Sequence, residues 1–238
     1  SKWFGSSTPN ILAASSVFPQ TPEEIFNNGN TKIDNKDYKG AIEDFYKVIV
    51  LMPDLAEAYY SRGNAKQEIN DYSGAIEDYT KAIELKPEFI GSYCNRAITK
   101  GKLNDIQGKI DDLNKAIEID PGYSIIYFNL GTAKADLQNY NGAISDFSKA
   151  IELDSTYYKA YFNRGMTKID IKEKVSAISD FNKAIEINSQ FSEAYYNRGI
   201  AKLYLDDENS AIIDIRKAAE LNFQDAIEFL TEDLQASK

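Results

Sequence analysis

The sequence predicts an all-α fold: six helix-turn-helix units in tandem, followed by one capping helix. Three observations predict it. A nine-residue phrase returns every 34 residues, as AYYSRGNAK (58–66), SYCNRAITK (92–100), IYFNLGTAK (126–134), AYFNRGMTK (160–168) and AYYNRGIAK (194–202). A fixed period of this size marks an array that grows by adding units. Within each period, apolar and small residues recur at three- and four-residue spacing, which is the helix period. Two columns also stay small, as close packing of paired helices requires.

Starting at Pro22, the frames are 22–55, 56–89, 90–123, 124–157, 158–191 and 192–225, with no insertion. In the second frame the spacing predicts helices over about 56–69 and 72–85, separated by the turn residues IND and closed by KPE. The eighth place of each frame holds Gly29, Gly63, Ala97, Gly131, Gly165 and Gly199; the twentieth holds Ala41, Ala75, Lys109, Ala143, Ala177 and Ala211. Mid-helix glycine costs about 1 kcal/mol relative to alanine. Its recurrence therefore implies a large residue pressed against it, with Tyr59, Phe147 and Phe181 as the expected partners.

The third frame departs most. It has Ala97 for glycine, Lys109 for alanine and Ile106 for tyrosine, and it adds Gly91, Gly101 and Gly108. Two readings stand: drift in a tolerant array, or a soft joint between the two halves. The last three frames replace the closing proline with Ser155, Ser189 and Phe223. After residue 225, AIEFLTEDLQ reads as an amphipathic helix covering the apolar edge of the last pair, with 226–238 as cap and tail.

Residues 1–21 carry no repeat. The stretch NILAASSVFPQ has small residues before a point where a signal could be cut, but its apolar run is short and lacks an adjacent basic flank. A native arm, an export remnant and a cloning residue all remain open; a cytoplasmic location is slightly favoured over export. An ordered arm bearing Trp3, Phe4, Ile11, Leu12 and Phe18 would dock on the array.

Composition excludes several functions. Net charge is −10, against the basic stripe that nucleic acid or an anionic bilayer demands. No apolar run approaches the roughly 18–20 residues needed to insert in a membrane. There is no histidine and one cysteine, Cys94, so no internal disulfide, thiolate metal cluster or histidine base is available. No metal and no cofactor are expected. No phosphate-binding glycine loop is present either, and the chain is not expected to be an enzyme.

The second frame carries Tyr59, Gly63, Tyr72, Ala75, Tyr79, Ala82 and Pro87. This pattern resembles the tetratricopeptide repeat family, over residues 22–225, and the NRG and KAIE wording is most similar to bacterial many-repeat members. The resemblance implies a right-handed superhelical solenoid whose concave face is lined by the first helix of each pair.

Charges also fall in columns. Place eleven is always lysine (Lys32, Lys66, Lys100, Lys134, Lys168, Lys202), place seven is arginine in four frames, and place twenty-three is always aspartate. The family resemblance implies ion pairs within each repeat: Arg62 with Asp78, Arg96 with Asp112, Arg164 with Asp180 and Arg198 with Asp214. The lysine stems would cover apolar surface while their ammonium groups support the same aspartates; a ligand-binding role is the alternative. Asn28 and Leu130 interrupt the arginine column, so Asp44 and Asp146 should lean on Lys32 and Lys134 or on a neighbouring repeat.

By the same resemblance, the groove is lined by Tyr60, Asn64, Asn95, Phe128, Asn129, Phe162, Asn163, Met166, Tyr196, Asn197 and Ile200. Asparagine can both donate to and accept from the main chain of an extended peptide, and aromatics supply burial. Packing alone would account for the same aromatics. Chaperone-binding members hold a terminal carboxylate with paired lysines and asparagines. Here Asn30, Asn64 and Asn95 occur, but Phe26, Tyr60, Gly91 and Ile125 stand where lysines are needed, so that clamp is rejected. The function expected is a non-catalytic scaffold that binds a protein or peptide segment, or a partner helix, in its groove. The alternative is a self-associating structural or assembly factor for a protein complex, a membrane complex among them, acting through the array ends or the N-terminal arm.

Overall fold

The structure, a computed structural model, describes residues 20–236. The leading segment and its five apolar residues lie outside the described residues. Among the described residues there are thirteen α-helices and no strand. They are α1 (Pro22–Asp34), α2 (Tyr38–Leu51), α3 (Ala56–Glu68), α4 (Tyr72–Leu85), α5 (Ile90–Lys102), α6 (Ile106–Ile119), α7 (Ser124–Asp136), α8 (Tyr140–Leu153), α9 (Tyr158–Asp170), α10 (Lys174–Ile187), α11 (Ser192–Leu203), α12 (Glu208–Glu220) and α13 (Gln224–Ala236). The chain divides into two compact units, residues 1–120 and 121–238. The first contains the pairs α1/α2, α3/α4 and α5/α6; the second contains α7/α8, α9/α10, α11/α12 and the helix α13.

In five of the six pairs the joining turn uses its residues twice; in the fifth, Glu173 makes no capping bond. In the first, Lys36 takes a left-handed conformation (φ 60°); its N–H donates to Ile33 C=O, and Asp37 N–H donates to Lys32 C=O. These are the two bonds of a Schellman motif, which satisfies carbonyls that a helix end would leave unpaired. Asp37 then caps α2, accepting from Gly40 N–H at 3.0 Å. The same geometry recurs at Asn70, Asn104, Gln138, Lys172 and Asp206, all with φ near 60°. None is glycine, so periodicity alone does not reveal this position.

Small places meet large ones across each pair. A Cβ on Gly29, Gly63, Gly131, Gly165 or Gly199 would stand 2.7–2.8 Å from Phe45, Tyr79, Phe147, Phe181 or Ile215. In the second pair the partner of Gly63 is thus Tyr79, not the expected Tyr59. Where the glycine becomes Ala97, the buried residue at the matching place is the shorter Leu113.

Neighbouring pairs share their apolar surfaces. In the first unit, Ala41, Phe45 and Ala65 form one cluster and Ile25, Val48 and Ala58 another, each spanning α1–α3. In the second, Ala177, Phe181 and Ala201 join α9/α10 to α11, and Ala226 of α13 is buried against Ile215 and Ala218. Burial of this kind supplies about 25 cal/mol per Å² and is what a single pair lacks.

Two of the lost prolines are replaced by side-chain bonds. Asp154 Oδ1 accepts from Thr156 N–H at 2.9 Å, and Asn188 Oδ1 from Gln190 N–H at 3.1 Å. These Asx turns hold the chain where proline would have fixed it.

Candidate functional site

The charge columns stand between the two helices of each pair. Arg62 Nε and Nη2 donate to both oxygens of Asp78 at 2.9 and 2.6 Å, and Lys66 Nζ lies 2.8 Å from Asp78 Oδ2. Arg96 and Lys100 hold Asp112, Arg164 and Lys168 hold Asp180, and Arg198 and Lys202 hold Asp214 in the same way. All six aspartates of the column are buried. In the first unit each lysine also donates to a place-nineteen carbonyl: Lys32 to Gly40, Lys66 to Gly74 and Lys100 to Gly108, each at 3.3 Å.

Each of the four arginines also lies 5.4–5.7 Å from the centre of the tyrosine ring three residues earlier: Tyr59, Tyr93, Tyr161 or Tyr195. Sequence reasoning assigned Tyr59 to the glycine; it stacks on arginine instead. Three arginines reach beyond their own pair. Arg96 Nη1 donates to Thr80, Arg164 Nη1 to Ser148 and Arg198 Nη1 to Asn182, each in the preceding repeat of the same unit.

Where arginine is missing, the aspartates differ. Asp44 has Lys32 at 2.6 Å and Lys47 at 2.8 Å; burial would raise its carboxyl, but these two partners outweigh burial and hold it below the ordinary value. Asp146 has Lys134 at 2.7 Å, and burial prevails, pushing its carboxyl up.

The first helices of each unit carry the candidate groove residues. In the second unit, Phe128 packs on Phe147 and Tyr157, Phe162 on Phe181 and Phe191, and Tyr196 on Phe223. Met166 lies against the cluster of Phe181, and Ile200 against that of Ile215. These half-buried side chains are therefore walls of the core as well as of the face. Asn197 turns inward along its own helix, donating to Glu193 C=O at 2.8 Å. The carboxamides of Asn129 and Asn163 make no hydrogen bond among the described residues.

The first unit is arranged differently. Asn95 Nδ2 donates to Tyr60 Oη at 3.1 Å and to Asn64 Oδ1 at 2.8 Å, while Tyr79 Oη donates to the same Asn64 oxygen at 2.8 Å. Thr99 Oγ1 donates to Gln67 Oε1 at 2.6 Å. Burial first, then the Tyr60 phenol and the charges of Asp78 and Glu68, pushes the Tyr79 hydroxyl up, so it stays a donor. An open pocket of about 360 Å³ lies over this network, lined by Ile33, Tyr38, Asn64, Gln67, Glu68 and Asn95. Gln67, Glu68 and Tyr38 were not named among the sequence-predicted site residues; Gln67 and Glu68 stand in columns that vary from frame to frame, and Tyr38 stands in the column of Tyr72, which marks the repeat and not the pocket. Cys94, beside the network, has its thiol pushed up to about 11 by burial and Asp112, and is not a reactive thiolate. No group of three or more metal-binding side chains occurs among the described residues, and no described helix is long and apolar enough to cross a membrane.

Models of the tetratricopeptide repeat match residues 56–89, 90–123, 125–157, 158–191 and 192–225, well over half of the chain. No curated protein matches it. Among solved structures it is similar to MamA, with 26% identity over 67% of this chain and 94% of that one, at a TM-score of 0.65. YrrB, described as a repeat protein "with an unusual peptide-binding site", is 22% identical over 79% of this chain and 97% of its own, at a TM-score of 0.66. PilF of Pseudomonas aeruginosa has 15% identity over 94% of this chain and the whole of its own, at a TM-score of 0.74, and so shares the fold. The matched repeats, with the helix pairs and small-against-large packing they specify, make this chain a member of the tetratricopeptide repeat family.

Proposed function

We propose that the chain is an interaction scaffold that binds an extended peptide segment along the first helices of its second unit. Proteins of its family are in general non-catalytic scaffolds that bind proteins or peptides. The observation that carries the reading is the pair Asn129 and Asn163, two unengaged carboxamides at equivalent positions of adjacent repeats. Each follows a half-buried aromatic, Phe128 or Phe162. Packed helices stand roughly 8–10 Å apart, close to three residues of an extended chain at about 3.4 Å each. Two such amides can therefore read one peptide backbone.

The test is selection of binding peptides from a random library, followed by affinity measurement on the Asn129→Ala, Asn163→Ala double variant. Because these amides have no partners, stability should change by no more than about 0.5 kcal/mol per substitution. Peptide affinity should fall at least tenfold. Unchanged affinity in a folded variant would remove this face from the function. Truncating Phe128 or Phe162 would be a poorer test, since both rings also hold the core.

A further inference from the structure

The pocket of the first unit has a chemistry that the second-unit face lacks. Its polar lining is partly committed: the oxygens of Asn64 and Gln67 accept from Tyr79 and Thr99, which fixes both carboxamides, while their NH2 groups make no hydrogen bond among the described residues. Tyr38 and Ile33 add an aromatic and an aliphatic side chain to the lining, and Glu68 adds a carboxylate. Glu68 is exposed and makes no ion pair or hydrogen bond among the described residues. Asn95 also lines the pocket; its Nδ2 is doubly used, and its Oδ1 accepts no hydrogen bond among the described residues.

We propose that this pocket receives an arginine side chain of a bound peptide. The guanidinium would lie on Tyr38, with one edge toward Glu68 and another toward Asn95 Oδ1, while its methylenes cover Ile33. A planar cation with several fixed donors fits a ring, a carboxylate and an amide oxygen at once; an ammonium can engage fewer of them. The chain's net charge of −10 favours a basic ligand at long range. This inference rests on reading the first-helix faces as peptide-binding, but it uses none of the second-unit residues.

The experiment is an NMR titration of the full chain with N-acetyl-arginine amide, its neutral isostere N-acetyl-citrulline amide, and N-acetyl-leucine amide. The side-chain amides of Asn64, Gln67 and Asn95 are the reporters. Arginine should shift all three and bind about fivefold more tightly than citrulline, the ratio an accessible ion pair gives. Added salt should erode the difference. In Glu68→Gln, whose site is exposed and whose fold should be intact, arginine and citrulline should bind equally. Equal binding to the parent chain, tighter binding of the leucine amide, or arginine shifts confined to other surfaces would each overturn the proposal. The Asn129 and Asn163 experiment is untouched by any of these results, so the two readings fail separately.

Discussion

The stem of Lys109 lies over Gly101: a Cβ on that glycine would stand 3.2 Å from Lys109 Cδ. Two departures of the third repeat are thus one arrangement. A lysine stands where the other repeats have a buried alanine, and a glycine gives its stem room. Gly91 likewise sits 3.3 Å, by the same measure, from the Tyr60 hydroxyl, and Gly108 N–H is bound by its cap Asp105.

The pair should be energetically coupled. Gly101→Ala alone should gain little, because its helix preference of about 1 kcal/mol is offset by pressure on the lysine stem. In the background of Lys109→Ala the same change should stabilise by about 1 kcal/mol. Urea denaturation of the four proteins gives the cycle, and additivity within 0.3 kcal/mol would show the two sites to be independent.

Asp146 should behave unlike the other acids of its column. Its carboxyl is raised in the folded chain, so its ionised form carries a cost that is complete above the folded value. Stability from this group should therefore fall as pH rises from the ordinary 3.8 through that value. Asp44, held low by two lysines, has the opposite sign: its contribution is present above 3.8 and lost as pH falls through its folded value. Replacing Leu130 with arginine, above the waiting Tyr127, should move the Asp146 carboxyl downward in a carbon-13 titration. An unmoved carboxyl would mean that the arginine does not reach it.

Ser92 is fully buried and its hydroxyl has no partner among the described residues. Its equivalents in other repeats include Ala58, Ala160 and Ala194. Ser92→Ala should stabilise by about 1 kcal/mol, since an unmatched hydroxyl costs about that much or more to bury. A loss on thermal or chemical unfolding would contradict it.

The fully paired aspartates should be the costliest to remove. Asp180→Ala leaves Arg164 and Lys168 without their common anion and should destabilise by about 3–5 kcal/mol. Lys168→Ala leaves the two-toothed arginine contact in place and should cost distinctly less. Equal costs would mean that the lysine, not the arginine, carries the site.

Helix placement was legible because Gly63, Ala75 and their equivalents recur at fixed intervals, and a fixed interval is visible in a string of letters. The partner of Gly63 was misread because Tyr59 and Tyr79 are both tyrosine; only the geometry separates the one under Arg62 from the one on the glycine. The positive-φ turn escaped notice because Lys36, Asn70, Asn104 and Gln138 share no obvious type. The pocket escaped because Gln67 and Glu68 belong to columns that vary. Which asparagines are engaged depends on neighbours across repeats: Asn95 meets Asn64 of the preceding repeat, whereas Asn163 has Thr132 at the corresponding place of the repeat before it.

The reach of Arg164 to Ser148, and of Arg198 to Asn182, bears on how the second unit comes apart. One side chain closes its own repeat and grips the one before it, so local folding and the coupling between neighbours are not separate quantities there. In a linear array such coupling sets whether terminal repeats fray one by one or the whole melts together. With two successive links of this kind, the second unit is built to lose its structure in a single cooperative step.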